Sequence, residues 1–470
     1  MARAKKTKSA TDTGAEIPPF PPARIIAPGA GETTGRFVVI FKDDVETAKV
    51  KSTLNQVAGI KEMASSADYT AGAFSAEDLA EGETSYFPQL GIVLVRGDDE
   101  RVRSLMTSSS DADSTILVIE PEYVAYTSGG LGGPQLEYLR GYRDAVNHLY
   151  DELAGSEAGE ASAVGATVTF QDNAQFTWGL QATRVPTSRF TGQGIKLAVL
   201  DTGFDLLHPD FQGRPIVSQS FVQGQAVQDG NGHGTHCVGT ACGPQRPAGT
   251  RRYGIAHGAL IHVGKVLSNQ GSGGTGGIVA GIEWALTNGC RVVSMSLGAP
   301  VNQKIQQYEV PIRRALEAGA LVVAAAGNNA QRSAGNPGFV EPPANADAAM
   351  AVAAVDSQLR IGDFSSRSSA ATGDGGKVNI AAPGVAVFSS VPTPFPPGSQ
   401  PAGFGRPWPP RYHTISGTSM ATPHVAGIAA LWTQATGAVG AELWTKVTQN
   451  ARGLTAQSAD VGVGLAQAPQ

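Results

Sequence analysis

The sequence predicts an α/β fold with a doubly wound, mostly parallel sheet, preceded by a small α+β unit. Three observations support this prediction. In the second half of the chain, short apolar runs alternate with helix-compatible segments rich in small residues. A glycine-rich stretch separates this half from an earlier group of β-rich runs, and the length of 470 residues allows two or three units. Alternating strands and helices build parallel sheets that helices cover on both faces.

Composition excludes several classes of protein. Hydrophobic residues make up 41% of the chain, which is enough for a sizeable core and excludes a wholly disordered protein. The 35 Lys and Arg residues against 40 Asp and Glu residues give a net charge of -5, so the chain has no general attraction for nucleic acid or anionic lipid. No apolar run approaches the roughly 18 to 20 residues of a membrane span. We therefore expect no nucleic-acid partner and no membrane span.

The cysteines indicate a reduced protein. Cys237, Cys242 and Cys290 are too few for a disulfide framework and too far apart for a four-ligand zinc site. If the first two share a helix, their spacing points the thiols to different faces, so they are not expected to pair.

Residues 1–35 are predicted to be a disordered arm, because they contain a proline-rich stretch and no hydrophobic periodicity. The basic residues near the start are interpreted as a solvated tail. The apolar segment of a secretory signal does not follow them. The location is therefore left open between the cytoplasm and export by another route.

Residues 36–127 are predicted to form the small α+β unit. Polar, helix-compatible segments separate its three β-rich runs, which lie at 37–41, 91–97 and 115–126. Residues 128–172 are predicted to be a linker, because they begin with SGGLGG and include a second stretch rich in Gly, Ala, Ser and Glu. Apolar residues at helical spacing after Pro134 predict an amphipathic helix within this linker.

Residues 173–470 carry the pattern of the parallel sheet. Buried strands are predicted at 195–200, 260–267, 291–297, 321–327 and 349–355, and helices at 277–287 and 310–318. In such sheets the chemistry lies at the carboxyl ends of the strands. The residues that follow each apolar run are therefore the first candidates for function.

Three residues with side chains that can take part in catalysis either follow an apolar run or lie at a predicted helix start. Asp201 ends the first run, Asn328 follows the run at 321–327, and His233 stands between glycines where a helix is expected to begin. Each alone is weak evidence, since an Asp after a strand is more often a cap or a structural hydrogen-bond acceptor.

Ser419 lies in a segment of small residues suited to a buried helix. Pro423 fits this helix only in the first turn, so Ser419 is predicted at or near the helix N-terminus. Unpaired N–H groups and the helix dipole stabilise an oxyanion there. With Asp201, His233 and Asn328, the chain then has the nucleophile, carboxylate, base and oxyanion donor that acyl transfer requires.

Five motifs around these residues resemble those of the subtilisin-like serine proteases: VLDTGFD, GNGHGTHCVGT, SMSLG, AAAGN and GTSMATPHVAG. The resemblance covers roughly residues 173 to 468. It implies a subtilisin-like fold and a serine endopeptidase that acts on polypeptides and requires no cofactor. It further implies that Asp201, His233 and Ser419 form the catalytic triad, with Asn328 as an oxyanion donor.

Residues 36–127 look like the inhibitory pro-domain of the same family, since FVVIFKDD and VIEPEYVAY match its first and last strands. This implies a proenzyme whose own pro-domain assists folding and acts as an intramolecular inhibitor. Self-cleavage is expected near residues 126–130, where the last strand meets the glycine-rich connector. An unrelated α+β module is the alternative interpretation.

The resemblance also implies which residues bind substrate. Two edge strands would pair with an extended peptide, and they correspond to Gly271, Ser272 and Gly273 and to Ser296, Leu297 and Gly298. The glycines could equally serve as turn residues. Counting back from PPA at 342–344 sets Glu341 at the floor of the primary pocket, where its natural partner is a substrate Lys or Arg. Alternatively, Glu341 faces solvent or pairs with Arg332.

Two departures from the family are visible. Asp210 matches a calcium ligand, but the partner loop at 243–254 has three arginines and no acidic residue, so a calcium site there is expected to be absent or altered. Calcium binding therefore stays open. Cys237 follows GTH directly, as in the thiol-containing branch of the family, and its simplest interpretation is a small buried apolar residue.

Two other functions are compatible with these residues. A transpeptidase or macrocyclase would form the same acyl-enzyme and resolve it with an amine instead of water. An inactive scaffold would bind peptide without cutting it, although the intact triad argues against this function.

Overall fold

The computed structural model describes residues 31–69, 72–96, 99–111, 113–127, 169–369, 376–393 and 411–470. Most of the predicted arm and the predicted linker helix lie outside these residues. The first strand begins at Thr33, so the predicted start of order at Arg36 is three residues too late.

The N-terminal unit is a five-stranded sheet with the strand order β5-β1-β4-β3-β2 and three helices. Val39 and Leu54 belong to a core between the sheet and its helices α1 and α3, whereas Val38 and Ile40 face a core shared with the rest of the chain. Its elements are β1 Thr33–Phe41, α1 Thr47–Ala58, β2 Ala64–Ser65, α2 Ala76–Glu81, β3 Thr84–Phe87, β4 Ile92–Val95, α3 Asp99–Ser109 and β5 Ile116–Thr127.

The C-terminal unit contains a seven-stranded sheet in which every pair of neighbours is parallel, in the order β14-β13-β12-β10-β6-β8-β7. These strands are β6 Lys196–Asp201, β7 Ile216–Ser220, β8 Leu260–Lys265, β10 Val292–Met295, β12 Leu321–Ala325, β13 Met350–Val355 and β14 Ile380–Pro383. Short strands outside this sheet are β9 Ser272–Gly274, β11 Leu297–Gly298, β15 Val387–Ser390 and β16 Tyr412–Ile415.

Helices cover both faces of this sheet. Leu197 and Val199 of β6 enter the core that also holds α5 and α8, whereas Ala198 and Leu200 enter the core that holds α6 and α7. The doubly wound α/β fold is therefore confirmed. The helices are α4 Trp178–Ala182, α5 His233–Cys242, α6 Thr275–Thr287, α7 Gln306–Glu317, α8 Thr418–Thr436, α9 Gly440–Gln449 and α10 Ser458–Val461.

All five apolar runs predicted as buried strands contribute a strand to this sheet. Strands β7 and β14 at its two ends were not predicted. Within the described parts of the chain, none of the helices combines the length and apolar character needed to cross a bilayer.

Candidate active site

Asp201 and His233 meet at the carboxyl edge of the parallel sheet. Asp201 is the last residue of β6, and His233 is the first residue of α5. The two side chains are buried, and His233 Nδ1 lies 2.7 Å from Asp201 Oδ1. Burial disfavours the charged imidazole, but the charge and hydrogen bond of Asp201 outweigh it, so the pKa of His233 is raised well above its ordinary value. This pair can hold a proton on the imidazole during a reaction.

A glycine after His233 allows this close approach. A Cβ added to Gly234 would overlap the backbone carbonyl of Gly203, so the end of β6 and the start of α5 pack backbone against backbone. Glycine at position 234 therefore brings the residue before it, His233, within reach of Asp201.

Ser419 is the second residue of α8 and is buried at the N-terminus of that helix. Its Oγ donates a hydrogen bond to the carbonyl oxygen of Ser296 over 3.4 Å. Pro423 lies in the second turn of α8, not in the first turn as the sequence predicted. Because Pro423 has no N–H, the Ser419 carbonyl lacks its helical donor and instead accepts from Ser296 Oγ at 2.8 Å.

Asn328 follows β12 and is tied to the start of the same helix. Its Oδ1 accepts hydrogen bonds from the backbone N–H and the hydroxyl of Thr418, both over 2.9 Å. This fixes which way the amide plane points, since the oxygen is committed to Thr418. The amide nitrogen lies on the side of Gly417, 3.4 Å from the position that a Cβ would take there.

His233 Nε2 has no hydrogen-bond partner among the described residues. A catalytic hydrogen bond between base and nucleophile often forms fully only in the substrate complex. Among the described residues, hydrogen bonds therefore connect Asp201 to His233 and Ser419 to Ser296, but none connects His233 Nε2 to Ser419 Oγ.

Cys237 lies one turn after His233 in α5. Its sulfur is 3.9 Å from His233 Nδ1 and 3.6 Å from the Ser419 carbonyl oxygen. Burial raises the pKa of the Cys237 thiol to about 11, which fits a neutral buried group. Ligand atoms of Asp201, His233 and Cys237 lie within 4.8 Å of one another, but a metal would compete with Asp201 for Nδ1.

The last strand of the N-terminal unit occupies the predicted substrate cleft. Strand β5 pairs antiparallel with β11 on one side and with β9 on the other. Leu297 faces Thr127, and the Thr127 N–H donates to the Gly271 carbonyl over 2.9 Å. The predicted peptide-binding residues lie on β9, on β11 or directly before them: Gly271, Ser272, Gly273, Ser296, Leu297 and Gly298.

Glu341 is buried beside this cleft. Its Oε1 accepts a hydrogen bond from Asn329 Nδ2 over 2.7 Å, and its Oε2 lies 2.6 Å from where a Cβ on Gly298 would stand. Arg332, the alternative partner considered from the sequence, donates to Asp460 over 2.7 Å. The Glu341 carboxylate is thus next to β11, which pairs with the extended chain.

Asp210 lacks the surroundings of a calcium ligand. Its Oδ2 accepts hydrogen bonds from the hydroxyls of Tyr253 and Tyr412, at 2.6 and 2.9 Å, and its Oδ1 accepts from the Ala248 N–H at 2.8 Å. Calcium requires several oxygen ligands, whereas the two hydroxyls and the N–H group around Asp210 donate hydrogen bonds to its carboxylate and would compete with the ion for those oxygens. Arg252 binds the carbonyls of residues 254 and 255, which brings a positive charge into this region. Among the described residues, those around Asp210 therefore do not fit calcium.

Sequence reasoning missed two carboxylates of β5. Glu120 accepts the backbone N–H groups of Gln306 and Gln307 at the start of α7, each over 2.9 Å. Glu122 accepts the Gly276 N–H at the start of α6 over 2.7 Å. Both therefore cap helices of the C-terminal unit. The available signal was the EPE sequence, which sets two carboxylates on one face of a strand.

Comparison with known proteins finds a matching family and similar sequences. A model of the subtilase family matches residues 192–467. The chain is 37% identical over 253 residues to subtilisin DY of Bacillus licheniformis, across 54% of this chain and 81% of that protein. It is 39% identical over 258 residues to subtilisin Savinase of Lederbergia lenta, across 54% and 82%, respectively. It is 36% identical over 252 residues to subtilisin E of Bacillus subtilis strain 168, across 54% and 58%.

Proposed function

Because the chain belongs to the subtilase family and is a serine endopeptidase, we propose that it hydrolyses peptide bonds through an acyl-enzyme formed on Ser419. His233 Nε2 takes the proton of the Ser419 hydroxyl as Oγ attacks the peptide carbonyl. The resulting imidazolium then gives this proton to the leaving amine, and water releases the acyl group by the reverse sequence. The observation that carries this proposal is the 2.7 Å contact between His233 Nδ1 and Asp201 Oδ1.

Asn328 and the backbone N–H of Ser419 are the proposed donors to the oxyanion of the tetrahedral intermediate. The support for Asn328 is the pair of hydrogen bonds from Thr418, which hold its amide oxygen and so orient the NH₂ group. The Ser419 N–H belongs to the first turn of α8, where backbone donors lack helical partners. Fixed donors of this kind need no reorganisation when the charge develops.

The N-terminal unit is proposed to be an inhibitory pro-domain that the protease removes from itself. Strand β5 supports this, because it fills the position of an extended substrate between β9 and β11. The register pairs Thr127 with Leu297, and the next residue of the cleft strand, Ser296, contacts Ser419. Ser128 directly follows Thr127 in the sequence, so cleavage is expected at or directly after Ser128, within the predicted range 126–130.

Glu341 is proposed to favour Lys or Arg at the substrate position before the cut. Its carboxylate lies against Gly298 of the substrate-pairing strand and is largely withdrawn from water. A basic substrate side chain in this pocket would gain a charged partner where water is scarce. This proposal concerns specificity and is independent of the catalytic step.

The test of the proposed activity is peptide hydrolysis by the wild-type protein and by Ser419→Ala, together with labelling by a fluorophosphonate. We expect the wild type to hydrolyse peptides and to take one label on Ser419, and the variant to do neither. A wild-type protein that takes no label, even after an added protease has cut its connector, would instead be a binding scaffold. Amine-extended products in place of hydrolysis products would indicate a transpeptidase.

A further inference from the structure

A buried lysine lies behind the Asp201–His233 pair. Lys265 ends β8, next to β6, and its side chain is fully buried. Its Nζ donates to the backbone carbonyl of Thr202 and to Asn269 Oδ1, the latter over 2.8 Å. Burial lowers the pKa of Lys265, and the negative charges of Asp229 and Asp201 act in the opposite direction.

A second buried carboxylate, Asp229, anchors the start of helix α5. Its Oδ1 accepts from the Thr202 hydroxyl at 3.0 Å and from the backbone N–H groups of Asn231 and Gly232 at 2.9 and 2.8 Å. Its Oδ2 accepts from the backbone N–H and the hydroxyl of Thr235 at 2.9 and 2.7 Å. These bonds immobilise the residues on either side of His233.

Thr202 joins the two carboxylates. Its backbone N–H donates to Asp201 Oδ1 over 2.7 Å, the same oxygen that contacts His233. Its hydroxyl donates to Asp229 and accepts from the Gly234 N–H over 2.8 Å. With its carbonyl on Lys265, Thr202 is therefore held by the end of β8, the start of α5 and the carboxylate of Asp201.

The positive charge of Lys265 is favourable at this buried position because two carboxylates lie nearby. Asp201 and Asp229 are both buried, and two buried carboxylates are unfavourable without a cation nearby. Lys265 supplies that cation, and its two acceptors fix it in place. An arrangement that only filled space would need no charge at this position.

We propose that Lys265, Asp229 and Thr202 form a positioning network that holds His233 and Asp201 in register for proton transfer. None of the three residues is assigned contact with substrate. The proposal rests on the proposed function, because it assumes that His233 is the general base. Displacement of a catalytic group by about 1 Å lowers the rate by up to about 100-fold. Loss of the network should therefore lower kcat and leave KM nearly unchanged.

The first test uses Lys265→Met, which removes the charge and keeps the length of the side chain. Its control is Lys196→Met at the opposite end of the neighbouring strand β6, where the ammonium donates a hydrogen bond to the Asn288 carbonyl. Kinetics are measured on processed enzyme and normalised to fluorophosphonate-labelled Ser419. We expect kcat to fall about 10- to 100-fold in the first variant with KM within about twofold, and wild-type kinetics in the control.

The second test compares Thr202→Val, which removes the hydroxyl, with Thr202→Ser, which keeps it. Among the described residues, the titratable groups that act on His233 are Asp201, Cys237 and His236, and both changes leave them in place. A looser Asp201 contact lowers the pKa of His233, so the acid limb of the kcat/KM profile should move to lower pH in the Val variant. The Ser variant should recover most of kcat and the wild-type limb. This pair decides the proposal if Lys265→Met does not fold.

Three outcomes are informative. Wild-type kcat and an unmoved acid limb in Thr202→Val would overturn the network, whatever its melting temperature. Equal losses in Thr202→Val and Thr202→Ser would also overturn it, because the hydroxyl would then have no role. Activity that survives in Ser419→Ala would contradict the proposed function instead, and so separates the two failures.

Discussion

A proline determines the hydrogen bonds of the Ser419 carbonyl. Pro423 removes the N–H that would normally bind this carbonyl within α8. The hydroxyl of Ser296 and the thiol of Cys237 take that place, at 2.8 and 3.6 Å. Ser419, the proposed nucleophile, is thereby linked to Ser296, directly before the proposed substrate-binding strand β11, and to the helix that carries His233.

Cys237 gives a prediction at the residue scale. A mercurial bound to its sulfur would push against His233, whose Nδ1 is 3.9 Å away, so peptide hydrolysis should fall by at least about 10-fold. Activity is measured after mass spectrometry has confirmed the label. Cys237→Ala serves as the control and should resist the same reagent. Full activity of the labelled wild type would contradict the expected disturbance of His233.

Glu341 gives a second prediction at this scale. Wild-type enzyme should cleave peptides with Lys or Arg before the cut faster than peptides with Phe or Leu, because the carboxylate complements the positive charge. In Glu341→Gln this difference in kcat/KM should fall by about 10-fold or more. The peptides differ only at that residue. Equal rates in the wild type, or a basic preference that persists in the variant, would exclude this role of Glu341.

At the scale of elements, contacts between the two units explain features with no local sequence signal. Helix α7 begins at Gln306, four residues before its predicted start, because Glu120 of β5 caps it from a distant part of the chain. Glu122 of the same strand caps α6. The N-terminal unit therefore caps two helices of the C-terminal unit, in addition to filling the predicted substrate cleft.

The loop around Asp210 gives a prediction at this scale. Tyr253→Phe should lower the free energy of unfolding by about 1 to 3 kcal/mol, because it leaves a buried carboxylate with one donor fewer. The difference in melting temperature between wild type and variant should be the same in calcium and in chelator. A difference that disappears on chelation would show that a metal acts at Asp210.

Sequence reasoning succeeded for elements whose signals are local. Residues 197–200 and 350–355 are continuous apolar runs, and both lie in interior strands of the sheet. Edge strand β7 was missed because its sequence IVSQS is half polar and partly exposed. The contacts of Lys265 and Asp229 depend on how distant segments pack, and single residues of these types carry no such signal. Motif resemblance identified the candidate site because its residues occur in short, specific sequences.

At the scale of the whole molecule, the two units meet around a buried carboxyl group. Glu283 of α6 accepts a hydrogen bond from Ser66 of the N-terminal unit over 2.6 Å, and its Oε2 has no partner among the described residues. Burial raises the pKa of Glu283 to about 8, against its hydrogen bonds with Ser66 and the backbone at Gln89. Because Ser66 and the Gln89 backbone of the N-terminal unit both contact this group, we infer that docking of that unit buries it.

This predicts weaker docking in alkaline solution. An acid whose pKa is raised on docking holds its proton more tightly in the docked state, so the docked state is favoured at low pH. Affinity should fall as pH rises from 4.5 to about 8 and then level off. The measurement is inhibition of processed enzyme by its own released N-terminal fragment across this range. In Glu283→Gln this dependence should largely disappear; an unchanged profile would exclude Glu283 as its source.

The central claim is that Ser419 cuts this chain's own connector. The most direct measurement is the intact mass of purified full-length protein followed over time, in wild type and in Ser419→Ala. The wild type should split at or directly after Ser128, within residues 126–130, and the variant should remain a single uncut chain of 48.4 kDa. Trimming of the pure variant at the same position would contradict the account.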